Sequence, residues 1–399
     1  MSLIHTHDSF DGWRSITISI YMTLVGYGML VAMPVISSAR LQVFGFTEVQ
    51  IGQLSSADLG GLALGAVLTS WLILKASRRI LVLIGALIAI FANMLSLGLT
   101  DYQAMLLARL VTGIGSGLYT GVAIANLGAT SIPAKCYNWM LFAFAFSSAI
   151  EFHIFPQLSL DGIYIAFIAA FMAGLPCITW IPKQHTAQPL DVEIEVIEGN
   201  LHHIDHHHVP AYIVWLCLIA MFLIYTNIGG YWTYIEMAAL KEQVDSDWIN
   251  QLMLLSSLSN IVGCLLATRL SNRFGLAKPL LSALLAMAGI VGLLAGGIDS
   301  VKLAVSLLIF NLLWIFIDVY QMSFIAHADH SGKFSSLIPC AQGLGQIAGP
   351  NIAAMALSSE VNYSHVFIIC TCFSVLAFVT YFTVYLKLQK RLPALTNAS

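Results

Sequence analysis

Five ionisable residues stand inside long apolar runs of this chain: Asp58, Arg109, Glu151, Glu236 and Asp318. A charge in hydrocarbon costs roughly 2.5–3.5 kcal/mol on the insertion scale, so such residues normally face protein and serve a function. The chemistry open to them is proton coupling or a charge switch. Arg109 cannot shed its proton and needs an anion nearby, with Asp58 or Glu151 as the expected partner. When that carboxylate takes a proton the pair weakens, which ties protonation to conformation. Arg109 also shares a helix face with Gly113, Gly117 and Gly121 at successive i+4 spacing, a small-residue stripe that lets another backbone approach closely. The same charges are equally readable as ion pairs that fix helix register, or as interfacial groups snorkelling outward.

Residues suited to holding a solute form a second set. Tyr225, Gly229, Trp232 and Glu236 follow i, i+4, i+7, i+11, an aromatic face ending in a carboxylate that suits an organic cation, or else an interfacial aromatic belt. Gln342 and Gln346 share a face as hydrogen-bonding candidates, and Tyr27 and Arg109 complete the expected substrate-contacting group. His153 is two residues from Glu151 and so points to a different helix face. The chain has no Gly-x-x-x-x-Gly-Lys-[Ser/Thr] phosphate loop, no His-Glu-x-x-His and no Gly-x-Ser-x-Gly. Neither an enzyme nor a cofactor is expected. The tract His202, His203, His206, His207 and His208 invites a transition metal but lies in a polar linker expected to lack fixed geometry, so no metal site is assigned. The seven cysteines lie in or at the ends of apolar runs and read as packing residues.

The elements that must position these groups follow from composition. Of 399 residues 58% are hydrophobic and 9% charged, where a soluble domain carries about 25% charged residues. Runs able to cross a ~30 Å hydrocarbon core occupy 14–37, 51–74, 80–99, 104–130, 136–159, 162–181, 211–238, 248–269, 278–297, 301–325, 334–357 and 361–386. With both termini cytoplasmic, thirteen basic residues fall on the inner side and three (Arg40, Lys241, Lys302) on the outer, the bias that the positive-inside rule produces. The first run lacks a small-residue cleavage site and reads as a retained helix. A polar segment at 183–210 divides the spans six and six, giving an N-terminal bundle at 1–182 and a C-terminal bundle at 211–399. The halves echo each other: Leu54-Ser55-Ser56 opens one second span and Leu255-Ser256-Ser257 the other. A net charge of −3 without a basic stripe speaks against a nucleic-acid partner.

These features resemble the major facilitator superfamily over essentially the whole chain. The best match is Leu107-Ala108-Arg109-Leu110-Val111-Thr112-Gly113-Ile114-Gly115, similar to the family's Arg-x-x-x-Gly-x-Gly. The turn after span 2, Ser70 to Arg79, keeps the basic cluster Lys75, Arg78 and Arg79 but lacks the family's glycines and its acidic residue. Its counterpart in the second half keeps Arg273 and Gly275, with Asn272 in the acidic position. The resemblance implies twelve helices in two pseudo-symmetric six-helix bundles, a conformational gate at Lys75, Arg78, Arg79, Asn272 and Arg273, and a link between Arg109 and substrate or proton movement. It further implies a monomeric secondary transporter in the inner membrane, working by alternating access on a small-molecule substrate, with a proton as coupling ion and the bilayer as solvent. The family's antiporter pattern in span 5 is absent, Ser147 to His153 standing there instead. Efflux antiport and a non-transporting solute sensor on the same fold are the alternatives.

Overall fold

The computed structural model describes residues 10–32, 36, 39–40, 43–46, 48–182, 191–198, 201–208, 210–274, 277–329, 332–357 and 363–389. Twelve long helices occur among them: α1 (Trp13–Val31), α2 (Glu48–Leu72), α3 (Arg78–Ser96), α4 (Tyr102–Gly128), α5 (Pro133–Ile154), α6 (Leu160–Gly174), α7 (Ala211–Lys241), α8 (Ser246–Phe274), α9 (Ala277–Gly292), α10 (Ser300–Ala328), α11 (Ile338–Leu357) and α12 (Tyr363–Gln389). Each coincides with an expected span to within a few residues at most ends. Continuous helix is what an apolar solvent demands, because every backbone N–H and C=O must then be satisfied within the segment. Short 3₁₀ turns at Leu175–Trp180 and Leu293–Gly296 prolong α6 and α9. Among the described residues, eight of these helices are long and apolar enough, on length and composition alone, to cross a membrane.

Local sequence sets the helix ends. Asp101 caps α4 by accepting from the Ala104 N–H at 2.9 Å, and Ser159 caps α6 by accepting from Gly162 at 3.1 Å. Pro133 opens α5, where its missing N–H costs nothing.

The described chain divides into two compact units. Unit 1 holds α1–α6 together with 331–343, and unit 2 holds 188–330 and 344–399. Inside unit 1, α2 and α4 touch backbone to backbone. A Cβ on Gly61 would lie 2.2 Å from the Leu110 carbonyl oxygen, and one on Gly117 would lie 2.2 Å from that of Leu62. The glycine stripe expected to sit at an interface does so, with Gly113 against the Asp58 carbonyl and Gly121 against Thr69. Unit 2 repeats the arrangement: a Cβ on Gly263 of α8 would meet the Leu312 oxygen of α10 at 2.5 Å. Gly263 and Leu312 have the same spacing in sequence as Gly61 and Leu110. Also in unit 2, α7 and α11 touch at Gly229, Gly345 and Gly349.

Helix α3 buries Leu81 and Val82 near its start, and from Gly85 onward it sorts its apolar residues by size. Gly85, Ala86, Ala89, Ala92 and Asn93 are buried, while Ile80, Leu83, Ile84, Leu87, Phe91, Met94 and Leu95 are exposed. Helix α3 is long and apolar enough to cross a membrane, and in hydrocarbon the exposure of large apolar groups carries no penalty while small ones permit close helix contact.

The linker departs from expectation. Residues Asp191–Glu198 (β1) and Leu201–His208 (β2) pair as an antiparallel ribbon, with Asp191 opposite His208 and Glu198 opposite Leu201. The sequence carries the cause: Val192, Ile194 and Val196 alternate with acidic residues at period two.

Candidate functional site

In unit 1 the charged residues converge on one carboxylate. Asp58 of α2 accepts a hydrogen bond on Oδ1 from Nε of Arg109 of α4 at 2.8 Å, and Nη2 of Arg109 lies in ion-pair contact with the same oxygen at 2.7 Å without a hydrogen bond of its own. Its other oxygen, Oδ2, is 3.4 Å from Nη2 of Arg40, which belongs to the connection between α1 and α2. Arg109 Nη1 donates to Asn93 Oδ1 of α3 at 2.9 Å, and Arg40 Nε donates to the Tyr164 hydroxyl of α6 at 3.0 Å. The Tyr164 ring lies beside both guanidiniums, 5.3 Å from Arg109 and 5.9 Å from Arg40. Arg40 and Arg109 are fully buried and Asp58 is 6% exposed. Two guanidiniums against one carboxylate leave an excess positive charge in this enclosure.

Of the two expected partners for Arg109, Asp58 and Glu151, the structure pairs it with Asp58. Arg40 was counted as an outer-loop cation and was missed, as were Asn93 and Tyr164. Asn93 had a signal, being a polar residue in the middle of an apolar run.

Glu151 does not join this cluster. Its Oε1 accepts from Ser147 Oγ, one turn earlier on α5, at 3.0 Å, and its buried Oε2 has no hydrogen-bond partner. Oε1 lies 3.5 Å from where a Cβ on Gly28 of α1 would be. Tyr27, beside that glycine, donates to Gln342 Oε1 at 2.8 Å, so two expected substrate-contacting residues meet in unit 1.

In unit 2 the buried carboxyl is Asp318 of α10, 2% exposed. The Tyr225 hydroxyl of α7 donates to its Oδ2 at 2.6 Å, and the Trp314 indole N–H reaches that hydroxyl at 3.4 Å. Trp232 packs edge-on to Trp314, with ring centroids 6.1 Å apart. The expected stripe on α7 is thus broken. Tyr225 and Gly229 face protein, Trp232 is 39% exposed, and Glu236 is exposed near the helix end with no charged partner among the described residues. Gln346 meets Gly229 through its backbone.

The basic turn after α2 is engaged inside unit 1. Arg78 is buried and donates to Asn126 Oδ1 of α4 at 2.6 Å, with the Phe10 ring 4.8 Å away. Arg79 donates to the carbonyls of Thr179 and Ile181, closing the end of the 3₁₀ turn after α6. Lys75 stands over the Trp71 ring at 4.2 Å. The side chains of Asn272 and Arg273 lie outside the described residues.

Comparison with known proteins agrees on the fold. Three solved structures align over nearly the whole chain. The human organic anion transporter MFSD10 (TETRAN) aligns at TM-score 0.72 and 14% identity, over 93% of this chain and 99% of that one. The proton:xylose symporter XylE, bound to 6-bromo-6-deoxy-D-glucose, gives 0.72 at 15% identity, over 94% and 96%. The transporter FucP in its outward conformation gives 0.71 at 13% identity, over 94% and 99%. No curated protein matches the sequence. The family model of the Major Facilitator Superfamily matches residues 18–350, and with twelve helices around buried charges behind that match, the chain belongs to this family of membrane transporters and is not an enzyme.

Proposed function

We propose that the protein is a proton-coupled secondary transporter that carries a small solute across the inner membrane by alternating access. In this reading the segments 1–182 and 211–399 are the moving bodies, 183–210 is a cytoplasmic linker, both termini are cytoplasmic and the monomer is the working unit. The thirteen-to-three basic bias supports the orientation.

The observation that carries the coupling is a pair of carboxyls, Asp318 buried and Glu151 part-buried with a buried oxygen, neither with a cation among the described residues. Glu151 has only the Ser147 hydroxyl as hydrogen-bond partner, and Asp318 has the Tyr225 hydroxyl with the Trp314 indole behind it. Among the described residues neither makes a salt bridge. A bound proton is the smallest partner that neutralises such a group, and it leaves when water reaches the site. Asp58 and Arg109 act beside them as the charge switch, since loading a proton on Asp58 would release one face of the Arg109 fork. Likeness in fold to a proton:xylose symporter supports the class of mechanism.

The test is solute accumulation in proteoliposomes under an imposed pH gradient, run against a compound panel. Accumulation should collapse with a protonophore. Glu151→Gln and Asp318→Asn should keep solute exchange while losing gradient-driven accumulation. Accumulation indifferent to the pH gradient in every case would overturn proton coupling.

A further inference from the structure

We infer that Arg40 and Arg109 form a binding site for a singly charged anionic group, the carboxylate of an organic solute, with Asp58 as its built-in competitor. This rests on the reading of the chain as a solute transporter and names the chemistry of the solute.

The first ground is charge. The enclosure holds two guanidiniums and one carboxylate, all more than nine-tenths buried, and among the described residues no other charged side chain is in contact with them. Buried charge is tolerated when it is paired and hydrogen-bonded, so the unit lacks one anion. The second ground is a vacant donor. Nη1 of Arg40 is buried and has no hydrogen-bond partner. The third is the unequal hold of Asp58. Its Oδ1 takes two close contacts from Arg109, at 2.8 and 2.7 Å, but Oδ2 is 3.4 Å from Arg40. Charge-assisted bonds of this type usually measure about 2.7–2.9 Å, so Arg40 is the arm that an incoming anion takes over. A carboxylate on the Nη1 and Nη2 edge of Arg40 would receive two parallel N–H donors, a geometry that Lys cannot offer. Tyr164, with its hydroxyl on Arg40 Nε and its ring beside both guanidiniums, keeps the two forks together.

Helix packing does not account for the charges. In unit 2 the positions equivalent to Asp58 and Arg109, three residues before Gly263 and one before Leu312, are Asn260 and Asn311. The backbone contact of Gly263 with Leu312 is nevertheless kept. Nature's own amide pair therefore supplies a neutral variant for unit 1 that is compatible with close helix contact.

The experiment is thermal unfolding of the purified full-length protein in detergent, titrated with sodium acetate, with acetamide as the neutral isostere and sodium chloride as the inorganic anion, at constant ionic strength in sodium sulfate. Acetate should raise the unfolding temperature saturably, and acetamide should not. Asp58→Asn should tighten the acetate response about tenfold, because it removes the competitor and couplings of this kind run from about 5- to 150-fold. Arg40→Gln should abolish the response, and Arg40→Lys should weaken it. The Asp58→Asn/Arg109→Asn double variant should fold and respond weakly. If Asp58→Asn leaves acetate binding unchanged or weaker, or if chloride reproduces the whole response with no added effect of acetate, the assignment is wrong. No acetate response beside intact proton-driven uptake sinks this inference and leaves the transport reading standing. An acetate response without any transported solute does the reverse.

Discussion

Gly60 and Gly61 are neighbours on α2 with opposite surroundings, so one methyl group placed on each tests how α2 and α4 are held. A Cβ on Gly60 would have nothing within 4 Å, whereas one on Gly61 would lie 2.2 Å from the Leu110 oxygen and 2.9 Å from Gly113 Cα and Ile114 N. All three obstacles are backbone, so the helices must separate by about 1 Å to restore an ordinary contact. Overpacking of this kind costs about 1–3 kcal/mol. Asp58 lies one turn from Gly61 on the same helix, and the shift would stretch its 2.7 Å contact with Arg109. At an effective dielectric of about 20 that loses about 1.5–2 kcal/mol more. Gly60→Ala should instead gain about 0.5–1 kcal/mol, because a helical glycine is entropically costly. The two variants should differ by roughly 3 kcal/mol or more in detergent unfolding, with Gly61→Ala also losing flux in proteoliposomes. Equal unfolding temperatures for Gly60→Ala and Gly61→Ala would refute the backbone contact and everything built on its geometry.

Three further outcomes are open to direct measurement. In a background without native cysteines, cysteines introduced at Asp205 and Arg391 should be labelled only from the cytoplasm and one at Asp245 only from outside; external labelling at position 205 would reverse the orientation. Tyr225→Phe strips Asp318 of its hydroxyl partner while Oδ1 already lacks one, which should cost about 1–3 kcal/mol in unfolding and lower flux; unchanged stability would remove that bond from the account. Asp299 caps α10, and the backbone N–H of Lys302, with the Lys302 charge and the Val301 N–H, holds its carboxyl below the usual carboxylate range. A depressed folded-state value stabilises above the unfolded value and is lost as pH falls through the folded one. Measured against the intrinsic exchange rate at each pH, amide protection at Val301 and Lys302 should therefore fall on acidification, and Asp299→Ala should show low protection at every pH; a pH-independent difference in protection between the two proteins would contradict this.

Helix positions were legible because hydrocarbon imposes a length and a polarity that composition cannot hide. Arg109 was legible for the same reason, as a charge within an apolar run with glycines at i+4, i+8 and i+12. Arg40 was not, because a window of sequence registers that a cation sits between two spans but not that the connection folds back over Asp58. A hint lay in the basic bias itself. Each of the three cations that break it is engaged: Arg40 with Asp58, Lys241 over the Tyr363 ring at 5.4 Å, and Lys302 with Asp299 at 3.6 Å. The α7 stripe shows a different limit of spacing. Spacing identifies residues on one face but not how far along the helix that face stays covered, and at Trp232 and Glu236 it is no longer covered. The ribbon at 191–208 was readable from its period-two pattern, which the histidine count obscured.

Helix α3 bears on how such chains are to be read at all. In water, hydrophobicity separates the two faces of a helix; from Gly85 onward α3 has apolar residues on both faces, and what separates these is volume. Glycine and alanine at 85, 86, 89 and 92 lie inward, with isoleucine, leucine, phenylalanine and methionine outward. A periodicity computed on side-chain size would point to the protein-facing side of α3 alongside one computed on polarity, because Arg78, Asn93 and Ser96 also lie inward. It would also rank substitutions in an unfamiliar order: enlarging Ala89 to leucine should do more harm than trimming Phe91 to alanine, because the first forces α3 off its neighbours and the second leaves a space that a lipid tail can fill.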